Sequence, residues 1–189
     1  MITDNATPIY TIGHANRTPT ELLNALAHRH IAFLIDVRTP AEQAIDDEFS
    51  PSALVDLLQT AAIRYVPLTH AYAEAPLGAN GVLHYPTVRA TAGYQQAVNR
   101  LQSAFQQQQR VALLGVAAAP DACQRSQLFG ASLHAQGIPV IHIDPEGDGQ
   151  SQEDVMWALA NEALAWADFA EDAPYDEPER ATTPAAIAT

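Results

Sequence analysis

Five short apolar runs, at residues 8–13, 31–37, 63–68, 110–115 and 138–143, alternate with segments whose apolar residues recur at helical spacing. That alternation constrains the fold more than any other feature of the chain. A run such as Ile31-Ala-Phe-Leu-Ile-Asp-Val37 is too continuously apolar for a strand with one wet face, and it reads as a central strand of a parallel sheet. The expected fold is α/β: three layers, α/β/α, around a mostly parallel sheet of about five strands, in a Rossmann-like or rhodanese-like layout with right-handed crossovers. Residues 1–170 form one domain that includes a C-terminal helix, and residues 171–189, acidic and then rich in Ala, Thr and Pro, form a tail.

Local signals refine this outline. Thr18 is placed to cap a first helix, with Pro19 at its first position and Glu21 closing a capping box. Ser50 caps a second helix running to Thr60, with Leu54, Val55, Leu57 and Leu58 facing the sheet. Residues 69–92 lack a period and read as a long loop, and a helix follows from Gly93 through Tyr94, Val98, Leu101 and Phe105. Asp121 is expected to cap a helix that stops at Gly137, with Cys123 and Arg125 in its first turn. The last helix, about Ser151 to Phe169, is expected to bury Val155, Met156, Leu159, Leu164 and Trp166.

Composition removes whole classes of function. All nine basic residues are Arg, so neither a Schiff-base lysine nor a P-loop lysine is available. The net charge of −13 is unevenly spread: residues 1–143 carry −2 and residues 144–189 carry −11. With no basic stripe, a nucleic-acid polymer is not an expected partner. No apolar run approaches a membrane span, and the N-terminus lacks the pattern of a secretion signal. A single cysteine agrees with a reducing compartment, so a cytoplasmic location without membrane association is expected. The oligomeric state stays open.

In a parallel α/β sheet ligands bind outside the carboxyl ends of the strands, and the polar residues converge there. His14, Asn16 and Arg17 follow the first run, Asp36 and Arg38 the second, His70 and Tyr72 the third, and Cys123 and Arg125 the fourth. His14, Asp36 and Cys123 are the candidate catalytic residues: a proton-transfer pair and a thiol. Asn16, Arg17, Arg38, His70, Tyr72 and Arg125 are the candidate ligand-binding residues, with the guanidinium groups suited to an anion. Structural roles compete with these. Asp36 could simply pair with Arg17 or Arg38, and a lone cysteine is usually a small buried apolar residue. His28, His30, His134 and His142 read as structural. No spacing such as His-x-x-x-His supports a metal, and no Gly-x-Gly-x-x-Gly indicates a dinucleotide, so no cofactor is expected.

Three motifs, Thr11-Ile-Gly-His-Ala-Asn-Arg17, Ile35-Asp-Val-Arg38 and Pro120-Asp-Ala-Cys-Gln-Arg-Ser126, carry a resemblance to the bacterial domain-of-unknown-function 488 family over roughly residues 8–143. The resemblance implies a fold more than an activity. Where the family pattern has Cys-Ala-Glu and Cys-His-Arg, this chain has Gly115-Val116-Ala117 and Cys123-Gln124-Arg125, and the Ser and Arg usual after Asp-Val-Arg are missing from residues 39–47. Leu34-Ile-Asp-Val-Arg-Thr-Pro-Ala-Glu42 is also similar to rhodanese-type domains, which place a nucleophilic Cys where this chain has Gly115. Sulfur transfer by that route is not expected. Two readings follow: a site for an anionic small molecule (a phosphate, nucleotide or sugar phosphate), serving a hydrolase or group transferase, or a catalytically degenerate member acting as a binding or interaction module.

Overall fold

The computed structural model describes residues 6–72, 83–121 and 123–172, with residues 164–172 described by their backbone alone. In chain order its elements are β1 (Ile9–Gly13), α1 (Pro19–His28), β2 (Phe33–Asp36), α2 (Pro40–Gln43), α3 (Pro51–Gln59), β3 (Arg64–Pro67), α4 (Tyr85–Ala90), α5 (Ala92–Gln106) and β4 (Val111–Gly115). A π turn (Arg125–Gly130) then leads into α6 (Ala131–His134), β5 (Val140–Ile143), β6 (Gly149–Ser151) and α7 (Gln152–Asp172). The sheet order is β3-β2-β4-β1-β5-β6, with β1 to β5 parallel and β6 antiparallel to β5.

The expected strands are therefore present, and the sheet gains a sixth. Its origin is a turn in which the Asp148 N–H donates to Asp144 Oδ1 at 2.8 Å, with Gly147 at φ 91°, a conformation that favours glycine. This hairpin turns the chain back along β5. Gly149-Gln-Ser151 has no apolar signature, so the strand is set by turn chemistry rather than by pattern.

Two cores follow from the alternation of side chains along each strand. On one face Tyr10, Ile12, Leu34, Ala112 and Leu114 pack against α1 through Leu22 and Leu26, α3 through Leu54 and Leu58, and Phe49. On the other, Ile9, Ile35, Val111, Leu113 and Val140 meet α5 and the segment carrying Leu128, Phe129 and Leu133. The connections after β1 and β2 cross the first face, and those after β3 and β4 cross the second. β1 and β4 are neighbours that send their chains to opposite faces, which makes their carboxyl ends the topological switch point of the sheet.

The expected caps hold at both early helices. Thr18 and Glu21 form a complete capping box, and Ser50 caps α3, each cap contributing about 1 kcal/mol. Other details differ. Val55 is 37% exposed, because Leu54 and Leu58, four residues apart, already fill the contact line of α3. In α7 Val155 is buried, Met156 and Trp157 are exposed and Leu159 is half-buried; the side chains of Leu164 and Trp166 lie outside the description. Residues 69–92 are not loop throughout, since Thr69–Tyr72 forms a 3-10 turn and α4 starts at Tyr85, while residues 73–82 lie outside the described residues. The tail from residue 173 onward also lies outside them. Asp121 does not act as a helix cap: the helical path opens with the π turn after Gln124, and no side chain caps it.

Candidate functional site

The polar residues at the carboxyl edge do converge on it, but the sheet separates them into two networks on opposite faces. On the α1/α3 face Asp36 is wholly buried, and Arg38 closes on it with two side-chain hydrogen bonds: Nε donates to Oδ1 at 2.9 Å and Nη2 to Oδ2 at 2.7 Å. The Arg38 backbone N–H adds a third donor at 3.0 Å and the Tyr65 hydroxyl a fourth at 2.7 Å. Four donors saturate the carboxylate and leave little for a substrate proton. Tyr65 was not singled out by sequence; burial, with the Asp36 carboxylate beside it, holds its hydroxyl well above the usual tyrosine range.

Arg38 also donates to the Phe49 carbonyl at 2.8 Å and faces His14 Nε2 at 3.2 Å. β4 lies between β1 and β2, so the His14–Arg38 contact passes over the end of β4. The imidazole of His14 stacks on Phe49 with ring centroids 4.6 Å apart, and only 4% of the residue is exposed. Burial and the Arg38 charge lower its pKa, so the ring is neutral at physiological pH. Three side-chain nitrogens among the described residues are buried without a hydrogen-bond partner: His14 Nδ1, Arg29 Nε and His70 Nε2. Of these residues only His14 is itself buried.

The α5/α6 face carries the second network. Arg125 is fully buried in the switch-point crevice; Nε donates to Thr11 Oγ1 at 3.2 Å, Nη2 to the Ala118 carbonyl at 2.8 Å and Nη1 to the Ala117 carbonyl. Glycine is required beneath it, because a methyl group on Gly13 would collide with the Ala117 carbonyl oxygen and the Arg125 guanidinium. Gly115 is similarly covered by the Arg125 stem, its Cβ position lying 3.3 Å from Cδ. Thr11 in turn contacts His142 Nδ1 at 2.6 Å, and His142 Nε2 contacts Gln152 Oε1 at 2.9 Å. The Gln152 oxygen only accepts, so His142 carries its proton on Nε2 and Thr11 donates to Nδ1. Burial lowers the pKa of His142 to about 4.

Cys123 precedes Arg125 and is buried, and burial pushes its thiol pKa up despite the neighbouring guanidinium. It is a thiol rather than an activated thiolate. Tyr72 packs edge-on against Phe129 with ring centroids 6.3 Å apart and donates to the Val37 carbonyl, so its hydroxyl serves the core and does not reach a ligand space. His70 is half-buried, and its carbonyl lies against Gly93.

Asn16 and Arg17 stand apart from both networks. Asn16 is exposed at φ 62°, a left-handed conformation that asparagine tolerates, and Arg17 donates to the Asp144 carbonyl. They line a small pocket of about 250 Å³ with Asn24 and with Glu21 and Glu146, and the two carboxylates make it a poor anion receptor. Of the three arginines expected to hold an anion, Arg17 donates to the Asp144 carbonyl, Arg38 to Asp36 and the Phe49 carbonyl, and Arg125 to Thr11 and the Ala117 and Ala118 carbonyls.

One further link ties the β2 and β4 loops. Glu42, held by the Thr39 capping box, accepts from Gln124 Nε2 at 2.8 Å across the carboxyl edge. Sequence reading took His142 as structural, in keeping with its buried hydrogen bonds, but did not single out Thr11 or Gln152 as its partners. A signal existed: Thr11 and His142 are polar residues within apolar strands, and they are register partners across β1 and β5. The chain matches no protein-family model and no curated protein. No described helix is long and apolar enough to cross a membrane, and no group of three or more His, Cys, Asp or Glu among the described residues could hold a metal ion.

Proposed function

We propose that this chain is a catalytically degenerate binding module that takes an anionic small molecule of the phosphate, nucleotide or sugar phosphate type at the switch point of its sheet. The observation that carries the reading is the buried His14, whose Nδ1 has no partner among the described residues while the surrounding polar groups are engaged. Unpartnered buried polar groups are uncommon in folded proteins and call for a specific explanation. The charge preference rests on Arg125 only through its field: at the same sheet edge but on the opposite face from His14, it is a buried cation that meets hydroxyl and carbonyl oxygens but no carboxylate among the described residues.

Turnover is disfavoured by the same geometry. Asp36 is saturated, and Cys123 is a buried thiol, so neither candidate group is ready to act as base or nucleophile. The hydrolase or transferase reading becomes the second choice. The motif resemblance supports a divergent member of the domain-of-unknown-function 488 family, and a cytoplasmic location fits the single buried thiol.

Thermal unfolding with phosphate, sulfate, nucleotides and sugar phosphates tests this, since a ligand that binds only the native state raises Tm by mass action. A rise with one ligand class, and no product release from that class over the same incubation, is the expected result. No rise with any of them removes the binding reading; release of product restores the enzyme reading.

A further inference from the structure

We infer that His14 is a fixed neutral N–H donor at Nδ1, so the site admits a ligand that presents an acceptor oxygen there and refuses one that presents a donor. The inference rests on the binding reading and adds the chemical class of the ligand atom that His14 meets.

The argument begins at Arg38, which has five N–H donors and no acceptor. Its guanidinium is oriented by two hydrogen bonds to Asp36 and a third to the Phe49 carbonyl, so the Nη1 that faces His14 is held by those partners. At 3.2 Å from a group that only donates, His14 Nε2 can only accept. A neutral imidazole carries one proton, which therefore sits on Nδ1. Asp36 and Arg38 are thus positioning residues, which select the tautomer of a ring they do not share a strand with.

Stacking on Phe49 fixes the ring plane as well. Nδ1 is bonded to Cγ and so stays near the backbone of the β1 end, where His14 N donates to the Gly115 carbonyl at 3.2 Å and Ala15 N to the Val116 carbonyl at 2.9 Å. The buried donor, unpartnered among the described residues, is thus placed at the switch point, where this fold class gathers ligands. An uncharged N–H donates to a carbonyl, carboxylate or phosphoryl oxygen. An ammonium or hydroxyl proton aimed at the same atom meets another proton.

Long-range nitrogen-proton NMR on the full-length protein labelled with nitrogen-15 reads the tautomer directly. His14 should show a protonated Nδ1 and a bare Nε2, and inorganic phosphate should move the Nδ1–H resonance while methylammonium leaves it in place. Two variants separate the ring's two contacts. In His14→Gln the side-chain oxygen can still accept from Arg38, but the Nδ1 donor is lost, so the phosphate affinity should fall roughly 10- to 100-fold. In His14→Asn the amide nitrogen stands near the Nδ1 position, and phosphate affinity should be retained in larger part. A protonated Nε2 in the wild type, or undiminished phosphate binding by a folded His14→Gln, overturns the inference while the binding reading survives. Absence of binding of phosphate, sulfate, nucleotides and sugar phosphates alike by the wild type, with the Nδ1 tautomer observed, removes both the ligand class and the reading beneath it.

Discussion

The two faces of one sheet edge solve the burial of an arginine in opposite ways. On the α1/α3 face Arg38 meets a carboxylate that answers its charge and its geometry; on the α5/α6 face Arg125 meets, among the described residues, only neutral oxygens. Hydrogen bonds satisfy a guanidinium's donors without cancelling its charge, and burial accordingly lowers the pKa of Arg125. The first network is electrically closed, and the second is polarised along the chain Arg125–Thr11–His142–Gln152. Residue type alone does not show which arginine has its charge answered by a carboxylate. What each one faces does.

The largest way to break this contrast is Asp36→Ala, which strands Arg38 as a buried uncompensated cation. Removing one partner of a buried pair costs about 3–5 kcal/mol, whereas replacing both with apolar residues of similar volume is often neutral. Denaturant unfolding should therefore show Asp36→Ala far less stable than wild type, and Asp36→Leu/Arg38→Met closer to it. If single and double variants lose stability equally, the pair is not electrically closed.

Acid sharpens the other side of the comparison. An unfolded histidine takes a proton near pH 6.5, whereas folded His142 does so only near 4. Between those values unfolding draws a proton in, so stability contributed by neutral His142 is complete above about pH 6.5 and is lost as the pH falls toward 4. The difference amounts to about 3 kcal/mol. Unfolding free energies measured from pH 7 to 4 should slope accordingly, and His142→Gln should flatten that slope. His14, whose pKa is also lowered, adds a contribution of the same sign that the substitution leaves in place.

A smaller effect is expected of Thr11→Val, which keeps the shape of the side chain and removes the hydroxyl between Arg125 and His142. Leaving their nitrogens without that partner costs about 1–3 kcal/mol. Thermal unfolding at pH 7 measures it, and an unchanged Tm would mean that the two residues gain nothing from Thr11.

The sequence carried the layer architecture because parallel strands buried on both faces need continuous apolar runs, and each such run here became a strand. The early caps were legible for a similar reason: Thr18-Pro19 and Ser50-Pro51 act through neighbouring backbone, so their chemistry is local. Site geometry was less accessible. Sequence offered Arg17 or Arg38 as a partner for Asp36, and the structure takes Arg38; that Arg125 would take the Ala118 carbonyl depends on which face each side chain leaves from, and a strand displaced by one residue exchanges the faces. Tyr65 and Gln152 act across 29 residues, to Asp36, and 10 residues, to His142, from elements whose own patterns gave no hint of a polar partner. The π turn lies beyond sequence periodicity for another reason. It widens the helix so that Arg125, Ser126, Leu128, Phe129 and Gly130 are all buried, a density of inward residues that a regular amphipathic helix does not offer.

The outermost strands bear on how the molecule meets its own copies. β6 spans only three residues, and β3 ends in Pro67, which has no N–H, and begins at the exposed Arg64. A sheet with such borders offers an incoming extended chain few consecutive hydrogen bonds and a charge to desolvate. Edge-to-edge polymerisation, the hazard of any open sheet, is thereby discouraged at both sides.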